Sequence, residues 1–195
     1  MKDIRIYSVS DRYIDYLRND PQLHHVLDSK TKNRLHTRKY LGAVFLKNNF
    51  HYFIPFSSPK KSDYMSASDG SLTIRPSIVP IIRMTTTDAQ SGAVELKGTL
   101  KLSSMIPVPE SELVLYDIAL EADSSYQQLI RKEWDFIRSN MELILKNARV
   151  LYNQKTKIDS LYSGKQAPAY LASTVDFTYA ETKCVEFQSI ALPTF

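Results

Sequence analysis

The chain has 195 residues, of which 43% are hydrophobic, and a formal net charge of +4. This length suits one domain, residues 1–195, with a real core, and it is short for two full domains. No apolar run approaches the roughly 18 residues of a membrane span, and no signal-peptide core follows Met1, so we expect a cytoplasmic protein that does not bind a membrane. The single cysteine, Cys184, has no partner for an internal disulfide and is expected to be buried.

The first elements follow from periodicity. Alternating apolar residues over 4–9 predict a short strand. Ser10 is then placed to cap a helix whose apolar residues include Tyr13 and Leu17, and the helix is predicted to stop at residues 19–21, which read Asn-Asp-Pro.

A basic segment comes next, over residues 29–39. It contains five cations and His36 but no acidic residue, and we predict a surface loop over residues 23–37. A polyanion such as nucleic acid is the natural partner, although most basic runs are only solvated surface. The cations are Lys30, Lys32, Arg34, Arg38 and Lys39.

Residues 39–47 and 50–56 flank Asn48 and Asn49, two residues that tolerate the left-handed backbone of a tight turn. This pattern predicts a hairpin. Gly42 indicates a bulge or a close approach of another group, and Pro55 is expected to mark the end of pairing in the second strand.

The corner after this hairpin, residues 55–61, reads PFSSPKK. Ser58 suits a helix N-cap and Pro59 a first helical residue, so we predict a helix start there. Free N–H groups, the hydroxyls of Ser57 and Ser58, and Lys60 would then face one volume that suits a phosphate. The alternative is an ordinary solvated turn.

The remaining pattern predicts an edge strand or an irregular segment at residues 78–84, strands at 94–102 and 105–108, and a short helix from residue 109. A single long helix is expected over residues 124–153, because apolar residues there keep a helical period. Residues 172–187 look like a strand, since Val175, Phe177 and Tyr179 alternate with polar residues.

The four histidines lack zinc-binding spacing, and no paired cysteines, glycine-rich phosphate loop or dinucleotide motif is present. We therefore expect no metal and no cofactor. RNA cleavage by the neighbouring 2′-hydroxyl needs neither, only fixed cations, donors and a proton carrier. Lys60 and Arg38 would stabilise the extra negative charge. Tyr13 would add a hydroxyl or stack a base, or else lie in the core.

Several motifs in order resemble the ToxN/AbiQ/CptN family of type III toxin-antitoxin endoribonucleases, over roughly the first 150 residues. They are IY at 6–7, SDRYIDYL at 10–17, RKYLGAVF at 38–45, YFIPFSSPKK at 52–61, MIPV at 105–108 and WDFIR at 134–138. The resemblance implies a compact α+β fold with a strongly bent antiparallel sheet, similar to MazF and Kid toxins and flanked by helices. On this basis residues 1–153 form the family-like core, and residues 154–195 form a C-terminal extension.

The resemblance also implies metal-independent RNA cleavage that leaves a 2′,3′-cyclic phosphate and a 5′-hydroxyl. Its implied partners are cellular or phage mRNA and a pseudoknotted antitoxin repeat RNA, which the toxin cuts from its own transcript and which inhibits it. The expected assembly is closed, with three proteins and three RNAs. The toxin would act in growth arrest or in abortive phage infection.

By position, Ser57, Ser58, Lys60 and Tyr13 fall on the family's active-site residues, and Arg38 falls where relatives carry a second lysine. A further tyrosine of some relatives has no counterpart, and His36 is a candidate to replace it as a proton carrier. The predicted RNA contacts are Lys30, Lys32, Arg34, His36, Lys39 and Lys61. The alternatives are an RNA-binding module without chemistry, or a structural protein that binds an acidic partner.

Overall fold

A computed structural model describes residues 4–29, 36–42 and 44–191. The strands in this part of the chain are β1 Arg5–Val9, β2 Lys39–Gly42, β3 Leu46–Lys47, β4 Phe50–Ser57, β5 Tyr64–Ser66, β6 Leu72–Ile74, β7 Ile81–Thr87, β8 Val94–Lys101, β9 Ile106–Pro107 and β10 Leu113–Leu115. The α-helices are α1 Asp11–Arg18, α2 Ser124–Ser139, α3 Met141–Thr156, α4 Ile158–Leu161 and α5 Phe177–Ala191.

Eight of these strands form one antiparallel sheet, in the order β10-β1-β2-β4-β8-β7. Strands β3 and β9 also pair with β4, while β5 and β6 form a separate hairpin. Strand β4 is therefore the centre of the sheet, with neighbours on both sides. The predicted α+β class with an antiparallel sheet is confirmed, as is the placement of a strand near residues 78–84 at the sheet edge.

The amino-terminal elements match their prediction. Ser10 caps α1, with its Oγ accepting a hydrogen bond from the Tyr13 backbone N–H at 3.3 Å. The helix ends at Asn19, just before Pro21. The capped helix buries the side chains of Tyr13 and Leu17, and it contacts α5.

The predicted hairpin is confirmed at its turn. Asn48 and Asn49 have φ values of 49° and 66°, which the two-residue turn between β3 and β4 requires. The first strand is nevertheless split, since β2 ends at Gly42 and β3 begins at Leu46. A side chain at Gly42 would overlap the ring of Phe53, which explains the glycine as a site of close approach.

The single long helix predicted for residues 124–153 is wrong. Two helices, α2 and α3, meet at Asn140, whose φ of −120° and ψ of 19° are not helical. Its backbone N–H bonds the carbonyls of Phe136 and Ile137, and its side-chain amide also donates to Phe136 O at 2.9 Å. The amide side chain thus competes with helix continuation, which the apolar period alone does not reveal.

The strand predicted for residues 172–187 is also wrong, because α5 covers most of it. The side chain of Asp176 accepts from the backbone N–H of Tyr179 at 3.0 Å, which starts a helix. Phe177, Ala180 and Cys184 are buried at a spacing of three and four residues, so the burial period is helical. The expected burial of Cys184 is confirmed.

Helices α2, α3 and α5 cover the sheet and supply much of the core. Helix α2 lies against β7 and β8, and α5 contacts α1, α3 and β9. The segment beyond residue 153 is therefore part of the packed domain up to the end of α5. Within the described residues, no helix is long and apolar enough to cross a membrane.

Candidate active site

The end of β4 is held more firmly than expected. Pairing continues past Pro55, with Phe56 opposite Leu100 and Ser57 opposite Thr99 of β8. The Thr99 hydroxyl also donates to the carbonyl of Ser57 at 3.3 Å. The prediction that Pro55 ends the pairing is wrong, because β8 takes over as partner on the other edge of β4.

The helix predicted to begin at Pro59 is not formed. A single 3₁₀ turn, Lys61–Asp63, follows instead and leads directly into β5. The carboxylate of Asp63 accepts from the Lys60 backbone N–H at 2.9 Å, and it forms a buried ion pair with Arg83 at 3.0 Å. These contacts fix the corner as a tight turn, so the predicted phosphate contact would have to be made by side chains and not by a helix N-terminus.

A cavity of about 290 Å³ lies between this end of β4 and α2. Its wall is formed by the residues just before β2 and the first residue of β2, the end of β4, one residue of β8 and one face of α2. The lining residues are His36, Thr37, Arg38, Lys39, Phe56, Ser57, Ser58, Lys97, Tyr126, Leu129, Ile130 and Glu133. The structure thus brings together Arg38, His36, Lys39, Ser57 and Ser58 from two separate sequence motifs.

Arg38 is only 5% exposed, and its guanidinium donates hydrogen bonds to other groups of the protein. Its Nη1 donates to the Phe56 carbonyl at 2.5 Å, and its Nε and Nη2 donate to Asp28 at 2.7 and 3.1 Å. The guanidinium therefore fastens the end of β4 to the segment before β2. It leaves a fixed positive charge in the cavity wall.

His36 lies at the cavity rim beside the start of α2. Its ring stacks on Tyr126 with centroids 3.8 Å apart, and its Nε2 lies 3.2 Å from a carboxylate oxygen of Asp123. Hydrogen bonds from the Tyr126 backbone and from His36 lower the pKa of Asp123. An imidazole with a fixed ring plane and a carboxylate partner suits either RNA contact or proton transfer.

Lys39 is a buried lysine and not an open surface cation. Its Nζ donates to Ser8 Oγ at 3.1 Å and sits 4.3 Å from the ring centroid of Tyr116. Burial lowers the pKa of Lys39. The predicted contact with RNA would have to be made through the cavity.

The serines and lysines of the corner differ in exposure. Ser57 is buried, whereas Ser58, Lys60 and Lys61 are exposed. Lys60 does not line the cavity but follows Ser58 by two residues at its edge. Lys101, half-buried on β8, lies within electrostatic range of Lys60, and burial lowers its pKa.

Tyr13 is not at this corner. Its side chain has no exposed surface, its hydroxyl donates to the carbonyl of Pro107 at 2.8 Å, and its ring packs edge-on against Phe187. A base cannot stack on a ring that is fully covered. The structure therefore places Tyr13 in the core, the alternative role considered for it. Lys30, Lys32 and Arg34 lie outside the described residues.

Lys97, Tyr126 and Glu133 complete the cavity and were not predicted as site residues. Lys97 donates to Glu95, its neighbour on β8. Glu133 carried a signal in the sequence, because it falls between Ile130 and Ile137 on the buried stripe of α2. A charged residue on an apolar helix face is a candidate for function.

The fold and the site together define the class of protein. It is an α+β domain with a cavity at the end of its central strand, and cations line that cavity. A family model described as Toxin ToxN, type III toxin-antitoxin system, matches residues 5–184. The chain belongs to this toxin family, and the match extends well past the first 150 residues that carried the resemblance.

Individual relatives agree with this assignment. The endoribonuclease ToxN of Bacillus thuringiensis subsp. kurstaki is 28% identical over 94% of this chain and 84% of its own length. The endoribonuclease AbiQ of Lactococcus lactis subsp. lactis is 29% identical over 92% of this chain and 87% of its own length. A solved toxin structure, from work on selective toxin inhibition by a non-coding RNA pseudoknot, superposes with a TM-score of 0.70 at 24% identity. That superposition covers 96% of this chain and 99% of the solved one and shows the shared fold.

Proposed function

We propose that this protein is a sequence-selective endoribonuclease toxin that cleaves RNA without a metal, by attack of the 2′-hydroxyl on the adjacent phosphate. The products would be a 2′,3′-cyclic phosphate and a 5′-hydroxyl. The observation that carries the proposal is the cavity at the end of β4, where Ser57, Ser58 and Arg38 meet His36 in a member of the ToxN family.

The cavity has the parts that such a reaction requires. Its wall carries the cations Arg38, Lys39 and Lys97, which favour the extra negative charge of the pentacoordinate phosphorus. The exposed hydroxyl of Ser58 is available to a non-bridging phosphate oxygen, and Lys60 follows at the rim. The rigid pairing of Ser57 with Thr99 holds these groups in place.

We further propose that a pseudoknotted repeat RNA, cut from the toxin's own antitoxin transcript, occupies this cavity and inhibits the enzyme. A closed assembly of three proteins and three RNAs, activity against cellular or phage mRNA, and a bent sheet like that of MazF and Kid complete the proposal. The basis is family membership, together with a relative whose structure comes from work on inhibition by an RNA pseudoknot.

One observation favours the alternative of an RNA-binding module without chemistry. The resemblance implies a lysine in relatives at the position of Arg38, and the Nε, Nη1 and Nη2 of Arg38 all donate within the protein. A residue so engaged has less capacity to move toward the phosphate of a transition state. The two functions share RNA binding and differ in cleavage.

The decisive experiment is inducible expression in bacteria of the wild type and of Lys60→Ala, with Lys165→Ala as an exposed control lysine. We expect growth arrest for the wild type and the control, and growth with Lys60→Ala at equal protein level. Purified wild type should cleave its repeat transcript in EDTA and leave a cyclic phosphate. Equal tolerance of all three proteins, with RNA bound but intact, would favour the binding module.

A further inference from the structure

Glu133 is a buried carboxyl group in the wall of the cavity. It lies on α2 between the core residues Ile130 and Ile137 and is 4% exposed. The same cavity is lined by Ser57 and Ser58, so Glu133 borders the volume assigned to the reacting phosphate. A glutamate is rarely this well buried unless a partner or a function retains it.

The neighbouring strand is shaped around this carboxyl. Gly98 of β8 immediately precedes Thr99, the residue paired with Ser57. A side chain at Gly98 would overlap Glu133 Oε1 and would also lie 3.0 Å from Met84 Cε. The glycine is therefore the residue that leaves room for the carboxyl beside the end of β4.

No described residue donates a hydrogen bond to Glu133 or forms an ion pair with it. The charged or titratable groups that share the cavity wall are His36, Arg38, Lys39, Lys97 and Tyr126, and each has a partner elsewhere, that of Tyr126 being the His36 ring. Burial alone raises the pKa of Glu133 to about 8. At neutral pH the group is mainly a carboxylic acid with a proton to give.

We propose that Glu133 is the general acid of the cleavage reaction and protonates the departing 5′-oxygen. This inference rests on the proposed function. The 2′-oxygen bonds to phosphorus and loses its proton to solvent water, while the bond from phosphorus to the 5′-oxygen breaks. The carboxylic proton of Glu133 passes to that oxygen, and the carboxylate regains a proton from solvent.

The assignment fills a gap that the corner residues leave. Serine hydroxyls and a guanidinium do not release protons near neutral pH, whereas a carboxyl with a raised pKa does. Arg38 and Lys97 supply the charge, and Ser58 supplies the contact to phosphate. Glu133 supplies the proton that makes the 5′-oxygen a good leaving group.

The test compares Glu133→Gln with wild type on two RNAs that differ in one atom. One has the ordinary 5′-oxygen at the mapped cleavage site, and the other has a 5′-bridging sulfur, which leaves as a thiolate without being protonated. We expect the variant to cleave the ordinary RNA about 100-fold more slowly, and the sulfur RNA within about threefold of wild type. An equal loss on both substrates, or no loss on either, would overturn the assignment.

Additional measurements distinguish a failure of the Glu133 assignment from a failure of the proposed function or of folding. Glu142→Gln changes an exposed glutamate at the start of α3 and should behave as wild type on both substrates. If wild type itself releases no cyclic phosphate from either RNA, the proposed function fails and not only the role of Glu133. If Glu133→Gln does not fold, Glu133→Asp provides the same comparison, with its loss again confined to the ordinary RNA.

Discussion

Strand β4 lies beside a buried glutamate toward each of its two ends, and the two glutamates are held differently. Toward the start, Glu181 of α5 accepts hydrogen bonds from the hydroxyls of Tyr52 and Tyr152 at 2.7 and 2.8 Å, and from the Asn48 amide at 3.2 Å. Toward the end, Glu133 of α2 borders the cavity with no donor among the described residues.

The hydrogen bonds of Glu181 stabilise the fold, whereas Glu133 has no hydrogen bond from a described residue to offset its burial. Three donors offset the cost of burying Glu181, and the cluster joins α5 and α3 to the central strand. Nothing of this kind offsets the burial of Glu133, so the group stays protonated and costs stability whenever it must ionise. A site kept at such a cost is a candidate for chemistry.

The largest loss of stability that we expect from a substitution is at the Glu181 end. Glu181→Ala removes the carboxylate that accepts from two buried tyrosine hydroxyls, and Tyr52 then keeps only its 3.4 Å hydrogen bond to the Phe177 carbonyl. Loss of such an acceptor costs about 1–3 kcal/mol per group, so we expect a loss on the order of 3 kcal/mol. Denaturant unfolding would measure it. The control is Glu186→Ala on the same helix, an exposed residue whose loss should cost under about 1 kcal/mol.

The comparison between the two ends would fail if Glu181→Ala cut the cleavage rate per folded molecule while leaving stability intact. In that case the tyrosine cluster, and not the cavity, would be coupled to the reaction. We expect the reverse, with RNA cleavage unchanged once the folded fraction is taken into account.

Ser58→Ala should show the opposite pattern at the other end. The residue is exposed and lines the cavity, so stability should not change. Loss of one donor to the phosphate should reduce cleavage of a purified RNA by about 10- to 100-fold. Single-turnover rates would measure this, with Ser62→Ala of the adjoining 3₁₀ turn as the exposed control. Unchanged cleavage would move the site away from this corner.

Local signals were enough to predict much of the fold. The cap at Ser10, the Asn48-Asn49 turn and the close approach at Gly42 each depend on residues near one another in sequence or on a backbone that few residues allow. Two of the errors, the single long helix and the strand at residues 172–187, have a shared cause. Asn140 and Asp176 decide helix boundaries through side-chain hydrogen bonds, which a count of apolar spacing does not weigh.

The candidate site was predictable only in part. Ser57, Ser58 and Arg38 were predicted because they belong to two motifs that can be recognised in the sequence. The structure brings all three to one cavity. Arg38 donates to the Phe56 carbonyl and so holds the end of β4, and the buried Tyr13 donates to the Pro107 carbonyl. Sequence spacing does not predict either contact. Glu133 was visible only as a charge on an apolar stripe.

The remaining prediction is a pH-dependent effect on stability, at Glu133. Its pKa is about 8 in the folded chain against a reference value of 4.5. Between these values the unfolded chain has lost a proton that the folded chain still holds, so stability falls as pH rises, on the order of 1.4 kcal/mol per pH unit. Glutamine does not ionise, so Glu133→Gln should remove this part of the slope.

Thermal unfolding of wild type and Glu133→Gln at a series of pH values measures the effect, with Glu142→Gln as control. We expect near-equal stability at pH 4.5 and a growing advantage of Glu133→Gln up to about pH 8, where the difference levels off. The same variant should be the slower enzyme on ordinary RNA. A constant difference across the whole range would mean that Glu133 ionises as freely in the folded protein as in the unfolded one, and the contrast with Glu181 would then be lost.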